Sequence, residues 1–157
     1  MSYDNAGKSI AQLAVLLQSG QLDARALAEE TLATITAYDD QTIFTRLTPE
    51  RAMIEAGIAA NRIRSGRSRG MLDGIPIAWK DLFDLKGITT TAGSVVLANE
   101  PAAERDAAVV SALAQAGMVC VGQVNMSEFA FSGLGLNPHY GTPRNPRSRD
   151  EARIPGG

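Results

Sequence analysis

The sequence predicts an α/β protein, with a helical segment over about residues 1–70 and an α/β segment over about residues 71–157. Three observations lead to this class. Apolar residues recur at helical spacing through the first segment. Between Gly74 and Lys80, large apolar residues alternate with smaller or polar ones, as in a strand. Residues 106–121 then give a helical pattern, a glycine and a short apolar run, which is typical of helices packed on a sheet.

Three helices are predicted in the first segment because each has a start signal. The first helix starts with a capping-box pair, Ser9 and Gln12, and the second with the capping carboxylate of Asp23. The third starts with the capping hydroxyl of Thr48, followed by Pro49 at the first helical position. These helices are expected to end before Gly20, near Tyr38 and near Gly66, where glycine or paired aspartates interrupt the pattern.

The second segment is predicted to contain two strands and one helix. In the first strand, residues 74–80, Ile75 and Trp79 share one face and Lys80 lies on the other. Asp106 is expected to cap a helix that stops at Gly117. Residues 118–121 read as a buried strand. From residue 125 onward the composition is typical of loops.

Composition excludes several classes of protein. One cysteine permits no internal disulfide, and one histidine permits no histidine-pair metal site. A net charge of -2 gives no global attraction to nucleic acid, and no apolar run approaches the ~20 residues of a membrane span. No signal-peptide pattern is visible, so a cytoplasmic location is expected.

Lys80 is the most informative candidate for chemistry. Only three of the 15 basic residues are lysines, and Lys80 ends an apolar strand. If helices cover both faces of the sheet, the Lys80 amine lies in a poorly solvated place. Burial destabilises the charged form of a lysine, and a neutral lysine is a competent general base. The simpler interpretation is a strand-end lysine whose ammonium reaches solvent and pairs with Asp81 or Asp84.

Other polar residues are weaker candidates. His139 lies in a loop without an orienting acid beside it in sequence, so a hydrogen bond to backbone is its simpler role. Glu128, Asp81 and Asp84 could serve in acid–base work, although solvated or capping carboxylates are more frequent. A basic cluster could touch a polyanion, but a solvated helix end is the simpler interpretation: Arg62, Arg64, Arg67 and Arg69.

Taken together, the second segment resembles the amidase signature enzymes. The strand that bears Lys80 reads LDGIPIAWKD over residues 72–81, and its following loop reads TTAGS over residues 90–94. The helix over residues 106–117 and three further motifs continue in the family's order: GQVNMSEFA over 122–130, NPHYGTPRNP over 137–146 and IPGG over 154–157.

The resemblance implies one large mixed sheet covered by helices on both sides, and amide hydrolysis by a Ser–cis-Ser–Lys triad. Lys80 would be the base of that triad, and Ala130 and Phe131 would line the acyl or amide pocket. The implied ligand is a small-molecule amide. Neither a cofactor nor a metal is implied, nor is direct contact with nucleic acid or membrane, and a homodimer is left open.

The two triad serines are expected just beyond the glycine pair at residues 156–157. Ser127, Ser132 and Ser148 do not lie in the matching context. The chain is therefore expected to be the N-terminal part of a single amidase domain and to be inactive alone. Two alternatives stay open: a component of a tRNA-dependent amidotransferase that hydrolyses glutamine or asparagine, and a binding or assembly module.

Overall fold

A computed structural model describes residues 5, 7–148, 150–151 and 153–154. The chain forms two compact units, each assembled from separate stretches of sequence. The first unit contains the described residues up to Tyr38 together with Thr48–Ala78 and Ser111–Val121. The second contains Asp39–Leu47, Trp79–Val110 and the described residues from Gly122 onward.

Four α-helices and three strands make up the fold of the described residues, so the predicted α/β class is confirmed. The helices are α1 Ile10–Gln18, α2 Ala24–Ala37, α3 Pro49–Arg64 and α4 Ala108–Gln115. The strands are β1 Phe44–Leu47, β2 Pro76–Lys80 and β3 Val119–Val124. A short 3₁₀ turn follows β3 at Glu128–Ala130.

The predicted starts of the first two helices are confirmed by their caps. Ser9 and Gln12 form the capping box of α1, and the Asp23 carboxylate accepts the N–H groups of Arg25 and Ala26 at the start of α2. At α3 Thr48 is the N-cap residue and Pro49 opens the helix, as predicted, but the expected side-chain cap bond is missing. The Thr48 hydroxyl accepts no N–H group of the first helical turn and donates to the carbonyl of Cys120 (3.0 Å).

The three strands form one sheet in the order β1-β3-β2. Strand β1 is antiparallel to β3, with Leu47 opposite Gly122. Two hydrogen bonds give the direction of β2 relative to β3. Val119 N–H donates to the Ile75 carbonyl (2.9 Å), and Asp81 N–H donates to the Val124 carbonyl (3.0 Å). Residue numbers rise together along both strands, so this pair is parallel and the sheet is mixed.

Strand β1 was not predicted from the sequence. It lies inside the segment interpreted as helical and has only four residues. Pairing with β3, which is distant in the sequence, creates it. Such short strands depend on their tertiary partner more than on local propensity.

The apolar core of the first unit brings together α1, α2, α3 and the approach to β2. Its buried members are Leu17, Ala24, Leu27, Ala59, Ala60, Ile75 and Met118. A buried ion pair lies in the same unit, where the Arg62 guanidinium donates to the fully buried Asp73 carboxylate. Gly117 approaches this carboxylate so closely that a Cβ built there would overlap Asp73 Oδ1.

Among the described residues, no helix combines the length and apolar character needed to cross a bilayer.

Candidate active site

Lys80 is the last residue of β2, and its backbone is fixed on both sides. The carbonyl of Lys80 accepts the N–H groups of Leu82 (2.6 Å) and Phe83 (3.1 Å) in the turn that follows the strand. The next N–H, that of Asp81, is bonded to β3. The preceding side chain, Trp79, is buried and packs edge-to-face on Phe83 with ring centroids 5.6 Å apart. Lys80 therefore stands on a rigid element, as a positioned functional group requires.

The Lys80 side chain is partly buried and its amine is uncommitted. Within the part of the chain that the structure describes, it makes no hydrogen bond or ion pair. The predicted alternative of a pair with Asp81 or Asp84 was wrong, because both carboxylates bind threonines instead. An amine without a salt-bridge partner is available for another group.

The two aspartates after Lys80 anchor the loop that follows. The buried Asp81 carboxylate accepts the N–H of Thr91 (3.1 Å) and its hydroxyl (2.5 Å). Asp84 accepts the hydroxyl of Thr90 (2.7 Å) in a more exposed position. The TTAGS loop is thereby tied to two carboxylates close to the candidate base. These carboxylates serve as hydrogen-bond acceptors for structure, in line with the simpler interpretation.

Asp81→Ala is expected to destabilise the chain by about 2–3 kcal/mol, because it leaves the N–H and the hydroxyl of Thr91 buried without an acceptor. Asp84→Ala is the matched control, since its bond to Thr90 is exposed and its loss should cost below ~1 kcal/mol. Urea unfolding of both variants measures the difference. Equal losses would contradict the anchoring role of Asp81.

The TTAGS loop also packs against the segment after β3. Gly93 has a φ of 68°, and a Cβ there would lie 2.8 Å from Asn137 Nδ2 and from the Met126 carbonyl oxygen. The Asn137 amide nitrogen donates to the carbonyls of Gly93 and Met126, both at 2.8 Å. Its oxygen accepts the N–H of His139 (2.8 Å). Only glycine permits this close approach.

A hydroxyl, a carboxylate and an imidazole meet beside this loop. The Ser94 hydroxyl donates to Glu128 Oε1 (2.6 Å), and His139 Nε2 lies 3.2 Å from the same oxygen. The expectation that His139 lacks an orienting acid was wrong, since Glu128, eleven residues earlier, occupies that position. Sequence reasoning did not single out Ser94 or Asn137. The Asn-Pro pair at residues 137–138 is a turn signal that could have drawn attention to Asn137.

Ala130 and Phe131 lie at the surface of the second unit. Ala130 is exposed and has a φ of 57°, while Phe131 is 94% exposed. No hydrogen bond or ring contact joins either residue to Lys80 within the described ranges. The connection is indirect: the Phe129 N–H donates to the Ala92 carbonyl (2.8 Å), and Ala92 follows the threonine that Asp81 holds. The glycine pair at residues 156–157 lies outside the described residues.

The basic cluster is occupied by contacts within the chain. Arg62 binds Asp73, Arg64 lies 3.8 Å from an Asp23 carboxylate oxygen, and Arg69 donates to the Ala114 carbonyl (3.4 Å). Arg67 donates to the Ser65 hydroxyl (3.1 Å). These contacts fit the interpretation of a helix end rather than a polyanion site.

Comparison with known proteins agrees with the motifs around Lys80. The Amidase family model matches residues 26–157, which is most of the chain. The chain belongs to the amidase family. The resemblance seen in the motifs is thus confirmed, and the coarse class that follows is a hydrolase family acting on C–N bonds.

Several relatives of this amidase-family chain have named activities. This chain is 44% identical over 142 residues to AtzE, the 1-carboxybiuret hydrolase subunit of Pseudomonas sp. (strain ADP). The match covers 90% of this chain and 31% of AtzE. The chain is 40% identical over 152 residues to the glutamyl-tRNA(Gln) amidotransferase A subunit of Alkalilimnicola ehrlichii, covering 96% of this chain and 30% of that relative.

Solved amidase structures have the same fold. The peptide amidase of Stenotrophomonas maltophilia gives a TM-score of 0.82 at 32% identity, covering 92% of this chain and 31% of the enzyme. A component of a vestigial complex linked to the origin of an s-triazine catabolic enzyme gives 0.90 at 42% identity, covering 96% of this chain and 33% of that component. The amidase-family chain spans about a third of the length of the relatives that it matches.

Proposed function

We propose that a protein carrying this segment hydrolyses the C–N bond of a small carboxamide, with Lys80 as the base. The observation that carries the proposal is the Lys80 amine, which has no salt-bridge partner among the described residues and stands at the end of a strand in an amidase-family chain. A lysine held neutral can accept a proton from a hydroxyl, whereas a lysine held in an ion pair is kept charged.

In the proposed mechanism the Lys80 amine takes a proton from a bridging serine. That serine in turn accepts the proton of a nucleophilic serine, whose oxygen attacks the amide carbonyl carbon. The C–N bond then breaks, the leaving nitrogen receives a proton, and water later releases the acyl group from the serine. Both serines would come from sequence outside these 157 residues, since Ser127, Ser132 and Ser148 do not lie in the matching context.

Ala130 and Phe131 are proposed to line the acyl or amide pocket. Their exposure on a bent segment supports this role, since a large apolar side chain at the surface can contact the substrate. No residue of this proposal requires a cofactor.

The proposal is tested by ammonia release from a panel of simple aryl and aliphatic amides. The protein that carries this segment should release ammonia together with the matching acid, while the 157-residue chain alone should not. Turnover by the chain alone would contradict the assignment of both serines to sequence beyond it. Absence of turnover by the longer protein on every amide would contradict amide hydrolysis itself.

A second candidate is the glutamine- or asparagine-hydrolysing component of a tRNA-dependent amidotransferase. The similarity to the glutamyl-tRNA(Gln) amidotransferase A subunit, which covers 96% of this chain, favours it. This candidate predicts ammonia release from glutamine or asparagine that rises when the charged tRNA and the other subunits are added. Release from simple amides without any partner favours the free-standing amidase.

A further inference from the structure

We propose that Glu128 is a positioning residue that holds the segment bearing Ala130 and Phe131 in its bent conformation by clamping it to the buried Ser94. The clamp is the hydrogen bond between Ser94 and Glu128. Only its effect on substrate binding rests on the proposed function. Glu128 is not needed in the proton transfers assigned to Lys80.

The bent segment requires external support. Phe129 has a φ of 54° and Ala130 a φ of 57°, so two successive residues with side chains adopt the left-handed conformation. Residues other than glycine adopt it at a cost in free energy, and they persist there only where the surroundings hold them. Inside the segment, which runs from Ser127 to Ser132, the bonds are two backbone turn bonds and one side-chain bond. The turn bonds run from Ala130 N–H to the Ser127 carbonyl and from Phe131 N–H to the Glu128 carbonyl. The Ser127 hydroxyl donates to the Ser132 carbonyl (3.3 Å).

Two contacts tie the segment to the TTAGS loop. One is the backbone bond from Phe129 N–H to the Ala92 carbonyl (2.8 Å). The other is the side-chain bond from the Ser94 hydroxyl to Glu128 Oε1 (2.6 Å). The side-chain bond is charge-assisted, which makes it the stronger type.

The direction of the side-chain bond is fixed by its surroundings. Ser94 is fully buried, and the Val96 N–H donates to its oxygen (3.2 Å). Because an N–H can only donate, the Ser94 hydroxyl hydrogen is left for Glu128. His139 Nε2 lies 3.2 Å from the same carboxylate oxygen, and 30% of the His139 side chain is exposed. The Glu128 carboxylate thus joins a buried serine to the exposed end of the segment.

Hydrogen exchange measured by mass spectrometry tests the clamp without any need for activity. In Glu128→Ala, the amides of Phe129 and Phe131 should exchange at least about tenfold faster, while those of β3 keep their rates. Glu128→Gln retains an acceptor oxygen for Ser94 and should stay within about threefold of the parent. Ser94→Ala should reproduce the effect of Glu128→Ala, and the double variant should add nothing further.

Glu100→Ala is the matched control, since that glutamate is exposed and its side chain makes no hydrogen bond or ion pair in the described part of the chain. It should leave all of these rates unchanged. Parent-like exchange in Glu128→Ala, or failure of Glu128→Gln to restore protection, would overturn the clamp.

The catalytic readout separates positioning from general damage. On an amide that the parent protein turns over, Glu128→Ala should raise KM about tenfold and leave kcat within about threefold. Loss of kcat at unchanged KM would overturn the positioning role. If the parent turns over no amide, the proposed function fails, and the exchange experiment still decides the clamp.

Discussion

Lys80→Ala is expected to lower the amide turnover of the protein that carries this segment by ~10²–10⁴-fold, the usual contribution of a positioned base. The amine would otherwise take the proton that makes a serine nucleophilic. Lys80→Arg should fail equally, because a guanidinium does not lose its proton near neutral pH. Initial rates of ammonia release under saturating substrate measure both effects.

Lys86→Ala provides the matched control for loss of a lysine. Lys86 lies six residues further on, is exposed, and has a side chain without a hydrogen bond or ion pair in the described part of the chain. Its removal deletes the same type of side chain and should leave turnover within about twofold. Circular dichroism should show an intact fold for all three variants. Near-parent turnover by Lys80→Ala would contradict the assigned role.

Local signals in the sequence were sufficient for α1, α2, β2 and β3. The Ser9–Gln12 capping box and the Asp23 cap involve neighbours within three residues, so a linear reading finds them. The alternation before Lys80 likewise predicts β2, and the apolar run around Cys120 predicts β3. These features depend on periodicity and capping, which are local properties.

The parts that were missed depend on tertiary contacts. Thr48 has the residue type of a helix cap, but its hydroxyl donates to the Cys120 carbonyl, an acceptor that β3 brings close. Asp81 binds a threonine ten residues away, and Glu128 binds a serine 34 residues away. No local pattern distinguishes these carboxylates from solvated ones. A sequence therefore shows that a polar group needs a partner without showing which one it finds.

Asp73→Ala is expected to cause the largest loss of stability, about 3–5 kcal/mol in the free energy of unfolding. The Asp73 side chain is fully buried, and that of Arg62 is only 16% exposed. Asp73 Oδ2 also accepts the Arg69 N–H (2.9 Å). Removing the carboxylate leaves a guanidinium without its counter-charge and a backbone donor without an acceptor. Urea unfolding measures the loss as a lower midpoint.

Arg64→Ala separates this effect from the loss of any arginine pair near the same helix end. The Arg64–Asp23 pair spans 3.8 Å with side chains 67% and 42% exposed, so solvent screens it and its loss should cost below ~1 kcal/mol. Asp73→Asn keeps the shape that packs against Gly117 but removes the charge, and it should fall between the other two variants. If Asp73→Asn is as stable as the unsubstituted chain, Asp73 stabilises the fold only through its shape and hydrogen bonds. That result would contradict the expectation that the charge of Arg62 needs a counter-charge.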